Sequence, residues 1–411
     1  MAGSSNRIAP LTPALLTALA AWLPACQSTP RPVQVEQATD DQTPLEPGGT
    51  PAPSAPALSL FGDFEEDMGA TSLPADPIAL TSNPGSPNVA RTTFAEEGAD
   101  FDPCLSPDGS FMVFASTQHR YTPDLYLKKT GGTVLTQLTS DPARDVMPSV
   151  SPDGSWIAFA SDRSGNWDVF VMPRAGGRPA QITSDPSHEI HPSGSPDGTR
   201  LAYCKLGQTS GKWEMWVVET ANTATPHFIG YGLFPSWCPV AGTGESGGDI
   251  IAYQRSAERG DRAFGIWLVE YANGQVGSPT MLIGNHQTAY INPAWSPDGR
   301  RVVFASVDDP AGVASVHHTG TRSADLWMIN VDGTALVSIT TGESADLLPA
   351  WSPDNRIYFV STRTGRDNIW SVDASESMAA AGITPEAPFA GTTTEPGASE
   401  EASAEASEGG E

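Results

Sequence analysis

Ser106-Pro107-Asp108-Gly109 recurs as Ser151-Pro152-Asp153-Gly154, Ser195-Pro196-Asp197-Gly198, Ser296-Pro297-Asp298-Gly299 and, with asparagine last, Ser352-Pro353-Asp354-Asn355. A degenerate copy begins at Cys238-Pro239. Successive copies lie 45, 44, 43, 58 and 56 residues apart, and repeats of that length belong to propellers or solenoids. Three positions ahead of each copy stands a proline: Pro103, Pro148, Pro192, Pro235, Pro293 and Pro349. Proline presets φ for a turn, and glycine or asparagine tolerates the positive φ that follows. Each tetrapeptide therefore reads as a hairpin between two strands.

Beyond every hairpin lies a short apolar run, such as Phe111–Phe114, Trp156–Phe159 or Ile357–Phe359, too short for a helix and rich in strand formers. A third strand carries an aromatic at one fixed place: Tyr126, Phe170, Trp216, Trp267, Trp327 and Trp370. Turns such as Gly176-Gly177 lead to a fourth strand, making four antiparallel strands per unit, one propeller blade. The last unit lacks its fourth strand, because after Asp373 the chain becomes low in complexity, whereas Arg91–Ala95 has the missing pattern. The expectation is an all-β, six-bladed β-propeller over residues 88–373, closed by an N-terminal strand, with no helix of any length.

The formal charge is −26. Residues 27–87 hold nine acids against Arg31, and 374–411 hold eight glutamates and no Lys or Arg. Nucleic acid is excluded as a partner for want of a basic footprint. Both acidic segments, rich in Pro, Ser, Ala and Thr, bury too little apolar surface to order themselves and read as a disordered linker and a disordered tail. Residues 1–26 read as a signal peptide: Arg7, the apolar stretch Leu15–Leu23, then Ala25-Cys26. This ending resembles a lipoprotein signal, which implies lipidation of Cys26 and membrane contact through a lipid anchor alone. Gln27 does not match the inner-membrane retention residue of well-studied lipoproteins, so the expected location is periplasm-facing, on the outer membrane, with release into the periplasm as the alternative. Cys104, Cys204 and Cys238, assigned to non-adjacent blades, read as unpaired small hydrophobes.

The stretches Asp346–Asp354 (Asp-x-x-Pro-x-Trp-Ser-Pro-Asp) and Ser161–Met172 (Ser-Asp-Arg-Ser-Gly-Asn-x-Asp-Val-Phe-Val-Met) resemble the TolB-type, WD-like propeller repeat. The resemblance covers all of 88–373. It implies a periplasmic six-bladed propeller that docks an envelope protein over one end of its channel. TolB-type proteins also carry an α/β domain ahead of the propeller; here that stretch is the acidic linker, which points to a TolB-like lipoprotein other than the Tol–Pal component.

Chemistry-bearing motifs are few. Gly242–Gly248 matches both a nucleophile elbow around Ser246 and a dinucleotide fingerprint, but each needs a helix after it and a strand follows here. No cofactor is expected. Histidines gather on one rim: His188, His191 and His286 in loops entering a blade, His119, His317 and His318 in loops joining strands two and three. A metal could be held only by His188, Glu189 and His191, a loop spacing that guarantees no convergence. The acids Asp100, Asp145, Glu189 and Asp346 open the entering loops, to contact a ligand or, as the structural reading prefers, to pair with Arg163 and Arg363. Residues 307–324 form the longest joining loop, and insertions on one face of a repeat array mark the binding face.

The preferred function is a monomeric, non-enzymatic cell-envelope lipoprotein that binds or scaffolds an envelope protein or glycan on the channel rim. The alternative is a glycan-binding or metal-dependent polysaccharide lyase-like propeller. Against a lyase stand the acidic ring and the apolar or small inner-strand positions Leu105, Val150, Gly194, Trp237, Trp295 and Trp351. A third reading is an unspecialised ring whose acidic tail recruits partners.

Overall fold

The computed structural model describes residues 89–256, 264–285, 287–308 and 323–383. Within them six antiparallel sheets follow one another along the chain. Blade one is built from β2 (Asp100–Leu105), β3 (Phe111–Ser116), β4 (Asp124–Lys129) and β5 (Leu135–Gln137). Blade two comprises β6 (Asp145–Val150), β7 (Trp156–Ser161), β8 (Asp168–Pro173) and β9 (Ala180–Gln181). In blade three these positions are β10 (Glu189–Gly194), β11 (Arg200–Leu206), β12 (Trp213–Glu219) and β13 (His227–Tyr231). Blade four, with β14 (Leu233–Trp237), β15 (Asp249–Ser256) and β16 (Phe264–Ala272), splits its outer strand into β17 (Gln275–Val276) and β18 (Thr280–Ile283), both paired to β16. Blade five has β19 (Thr288–Trp295), β20 (Arg301–Asp308), β21 (Ala324–Asn330) and β22 (Val337–Ser338).

Blade six joins both ends of the domain. Its inner strands β23 (Asp346–Trp351), β24 (Arg356–Ser361) and β25 (Asn368–Asp373) come last, and its outer strand is β1 (Val89–Arg91). Val89, Ala90 and Arg91 face Val372, Ser371 and Trp370. The Thr93 hydroxyl accepts the Ile369 N–H at 3.0 Å. Thr139, Thr183 and Thr340 accept from Leu125, Val169 and Leu326 in the same way, each at 2.9 Å. The N-terminal strand is thus a fourth strand in full chemical detail, and it removes the open edge that would otherwise template association.

The hairpins explain the recurring tetrapeptide. Ser106 Oγ accepts the Phe111 N–H at 3.0 Å and donates to Asp108 at 2.6 Å. Ser151 does the same with Trp156 and Asp153, and Ser195 with Arg200 and Asp197. Gly109, Gly154, Gly198 and Gly299 hold φ between 66° and 70°, and Asn355 holds 61°. In blade four Asp249–Ser256 follows the Gly242–Gly248 loop as a strand, so neither phosphate nor nucleophile chemistry has its helix.

Second strands are buried on both faces, as every residue of β3 shows, because each sheet packs between two neighbours. Blades three and four, which hold Cys204 and Cys238, prove to be adjacent, contrary to the assignment made from spacing; both thiols are nevertheless free. A further departure follows Asp373. The segment read as the start of a disordered tail forms a helix, α1 (Ala374–Ala380), whose N-cap Asp373 accepts the Ser375 N–H. Met378 and Ala374 are fully buried and pack in the cluster containing Ile357, Phe359 and Val372. Two small apolar contacts on one turn give too weak a periodic signal for a sequence pattern to reveal.

Candidate binding face and channel

Each first strand runs from one face of the ring toward its hairpin, so the loops entering a blade and those joining strands two and three share a face. At this end two of the four repeated acids, Asp145 and Asp346, are consumed in latches. Asp145, fully buried, receives both oxygens' bonds from Arg163 at 2.7 and 2.9 Å. Asp346 receives Arg363 at 2.8 and 2.7 Å and the Ser361 hydroxyl at 2.6 Å. Each arginine also lies over two aromatics of its own blade, Arg163 over Phe159 and Phe170, Arg363 over Phe359 and Trp370, at 5.1–5.5 Å. That stacking is what the fixed third-strand aromatic supplies. Burial raises Asp100 above the ordinary carboxylate range, while Ser116 and Thr93 oppose the shift. Glu189, in blade three, is pushed up to about 7 by burial, and the charges of Asp168 and Asp185 add to it.

The candidate histidines part company. His119 is exposed on the joining loop of blade one, with its Nε2 3.1 Å from Gln118 Nε2. His188 sits at the entry to blade three, its Nδ1 3.4 Å from the Trp167 nitrogen. His191 leaves the rim altogether: it lies on β10, 7% exposed, with its ring 3.7 Å from that of Phe234. His286, His317 and His318, most of the 307–324 loop and Cys26 fall outside the described residues. His188, Glu189 and His191 therefore do not converge, and among the described residues no three His, Cys, Asp or Glu side chains come together as a metal site.

His191 belongs instead to a ring that the spacing of prolines hid. In all six blades the residue before the first-strand proline has positive φ: Asp102, Met147, His191, Phe234, Asn292 and Leu348, between 51° and 55°. Pairing with the second strand slips at this point in every blade, for instance between Ile190 and Ser193. Two residues there oppose one, a bulge that re-aims a side chain. These strands are the innermost of their sheets, so the bulges lie along the channel wall, with His191 and Asn292 buried there. Two neighbouring pairs of its members touch: Asp102 Oδ2 accepts the Met147 N–H of the next blade at 3.0 Å, and the His191 and Phe234 rings lie 3.7 Å apart. Asn292 N–H is taken by Gln254 at 2.8 Å. The channel is thus not uniformly apolar or small, as Leu105 and its equivalents suggested; those positions lie nearer the hairpin. The signal was the variable residue ahead of each proline.

Against known families, residues 88–241 match the TolB beta propeller domain, and residues 174–385, 212 of the 411, match the Tricorn protease N-terminal beta propeller domain. A curated relative, an uncharacterized protein of Agrobacterium fabrum, is 30% identical over 97 residues, 23% of this chain and 28% of that protein. Among solved structures, a protein assigned as TolB from Agrobacterium tumefaciens is similar with TM-score 0.49 and 21% identity, covering 67% of this chain and 90% of that one. An oligogalacturonate lyase from Vibrio parahaemolyticus gives 0.48 and 14%, covering 70% and 94%. TolB from Acinetobacter baumannii gives 0.42 and 16%, covering 68% and 64%. With six antiparallel blades and more than half of its length matched, the chain belongs to the family of Tricorn protease N-terminal β-propeller domains, with the TolB β-propeller match over residues 88–241.

Proposed function

We propose that this protein is a non-catalytic recognition propeller of the cell envelope, holding a protein partner over the face that carries His119 and the blade-joining loops. The observation that carries the reading is a pair of aromatics at adjoining loop tips, Phe94, 65% exposed, and Tyr121, fully exposed. Their loops are pinned together, Ala99 N–H to Thr117 Oγ1 and Thr117 N–H to Ala99 O, each at 2.9 Å. Rigid, solvent-facing aromatics are the anchors that protein interfaces favour. Asp145 and Asp346, by contrast, are spent on arginines and leave no carboxylate for a ligand. The signal-like first 26 residues support an envelope location, with Cys26 lipidated and the acidic segment as tether, outer-membrane anchored and facing the periplasm.

The test is crosslinking in intact cells followed by pull-down, comparing the wild type with the double variant Phe94→Ala, Tyr121→Ala and with a deletion of 309–322. Loss of partners at unchanged thermal stability is expected. An unchanged partner set in both variants would remove this face from the reading, and capture of a glycan alone would replace protein with saccharide as the ligand class.

A further inference from the structure

Where one blade meets the next, a third-strand acid faces the acid that opens the following first strand. Asp124 stands beside Asp145 in this way, and Asp168 beside Glu189. At the first of these junctions Arg163, two residues beyond the Ser161 that pairs with Asp145, supplies the counter-charge. The same count from Lys205, which pairs with Glu189, arrives at Gly207. A side chain there would run into Glu214 and Ser210. Lys205 itself bonds Asp185 at 2.5 Å and lies over the Trp216 ring. Asp168 and Glu189 are nevertheless 1% and 2% exposed, and they hydrogen-bond each other. Two ionised carboxylates have no donor between them, so one of the pair carries a proton.

We propose that a proton shared by Glu189 and Asp168 replaces the missing guanidinium and latches blade three to blade two, and that this latch releases in alkaline solution. Asp168 Oδ2 takes the Ser164 hydroxyl and, at 3.0 Å, the Gln181 amide, while Oδ1 is buried with neither N–H nor hydroxyl upon it. Glu189 is therefore the acid that donates to Oδ1, and the donors around Asp168 hold it ionised. Burial pushes Glu189 up to about 7, and the charges of Asp168 and Asp185 add to it. This lies above the ordinary 4.5, so the latch is complete below that pH and is lost as pH rises through 7. The other titratable groups facing the pair are Lys205 and Tyr203 on β11 and Asp185 in the entering loop. His188 stands next to Glu189 in the chain, with its Nδ1 3.4 Å from the Trp167 nitrogen. Once Glu189 ionises, two like charges share one interior site. The segment then freed is the loop entering blade three, which the Asp185 N–H ties to Glu189 Oε2 at 3.2 Å. Blades two and six keep their latches, since Arg163 and Arg363 hold theirs. One junction of the rim thus answers to pH, and no partner on that face is needed for it.

The experiment records infrared difference spectra of the full-length chain between pH 5 and 9, with glutamate carboxyl groups 13C-labelled, and hydrogen exchange of the Asp185 N–H. A glutamic acid carbonyl band lost with a midpoint of about 7, and missing from Glu189→Gln, is expected. In Asp168→Asn the amide can donate to an ionised Glu189, so the midpoint should fall by about one pH unit or more, an about tenfold loss of proton affinity. Exchange of the Asp185 N–H, corrected for its intrinsic rate, should quicken above pH 7 in the wild type and stay level in Glu189→Gln. A midpoint unmoved in Asp168→Asn means that burial alone holds the proton, and overturns the proposal. So does the absence of any glutamic acid band at pH 5. Should Asp168→Asn fail to fold, an Asp185 exchange profile alike in the wild type and Glu189→Gln overturns it instead.

Discussion

In four of the six blades the residue that decides most is the acid that opens the first strand, Asp100, Asp145, Glu189 or Asp346, and the environment of that acid sets its role. Asp145 is buried against Arg163, so removing the guanidinium leaves an uncompensated interior charge. Arg163→Met is expected to cost about 3 kcal/mol, read as a lower urea midpoint, whereas Arg144→Met, whose ion pair with Asp162 reaches solvent on both sides, should cost about 1 kcal/mol or less. Glu189 behaves differently. Its folded pKa of about 7 lies above the ordinary value of 4.5, so the folded state holds the proton more tightly. Stability from this group is complete below about pH 4 and is lost as pH rises through 7. Facing it are Asp168, Asp185 with its partner Lys205, and the Thr183 hydroxyl. Glu189→Gln should flatten the fall in melting temperature between pH 6 and 8; an unaltered fall would acquit this residue. His191 works from the acid side, because a neutral buried imidazole must charge to be protonated, and stability tied to it declines as pH drops from 6.5 toward 3.

At the scale of elements, closure and the terminal helix carry separate loads. Deleting residues 1–91 should strip β25 of its partner, leaving the Asn368 side chain without Arg91, and expose an edge. The expected outcome is a lower unfolding midpoint together with concentration-dependent association in light scattering; a monomer of wild-type stability would show the clasp to be dispensable. Helix α1 is too short to persist alone, so its packing and cap must hold it. Met378→Ala should cost about 2–4 kcal/mol through the cavity it leaves, and Asp373→Ala about 1 kcal/mol through the lost cap. Both are measurable by denaturant titration. The bulges are a third kind of element. Positive φ disfavours branched side chains, so Met147→Val should be destabilised by about 1–3 kcal/mol where a branched residue in a regular strand would be tolerated.

For the whole molecule, the repeat itself was legible because hairpin chemistry is local. Ser, Pro, Asp and Gly within four residues satisfy their own hydrogen bonds and φ angles, so their spacing counts the blades before any contact between them exists. Closure was legible for the same reason: the strand that completes blade six carries the threonine that its siblings carry. The helix after Asp373 was not, since it is held by burial against a blade far from any periodic pattern. Nor was the channel ring. Proline before a hairpin marks the place, but the bulge that sets Asp102 against Met147 and His191 against Phe234 arises only when a two-for-one register forms between paired strands. The same holds for the charge states. Which carboxylate is neutralised by arginine, which keeps its proton and which accepts an N–H from the next blade depends on distances across blades, and electrostatic energy in an interior follows distance and burial. Sequence determined the number, order and closure of the blades, because those rest on neighbours along the chain. Tertiary structure decided which side chains meet around the axis, because only packing brings residues some 45 positions apart into one dielectric environment.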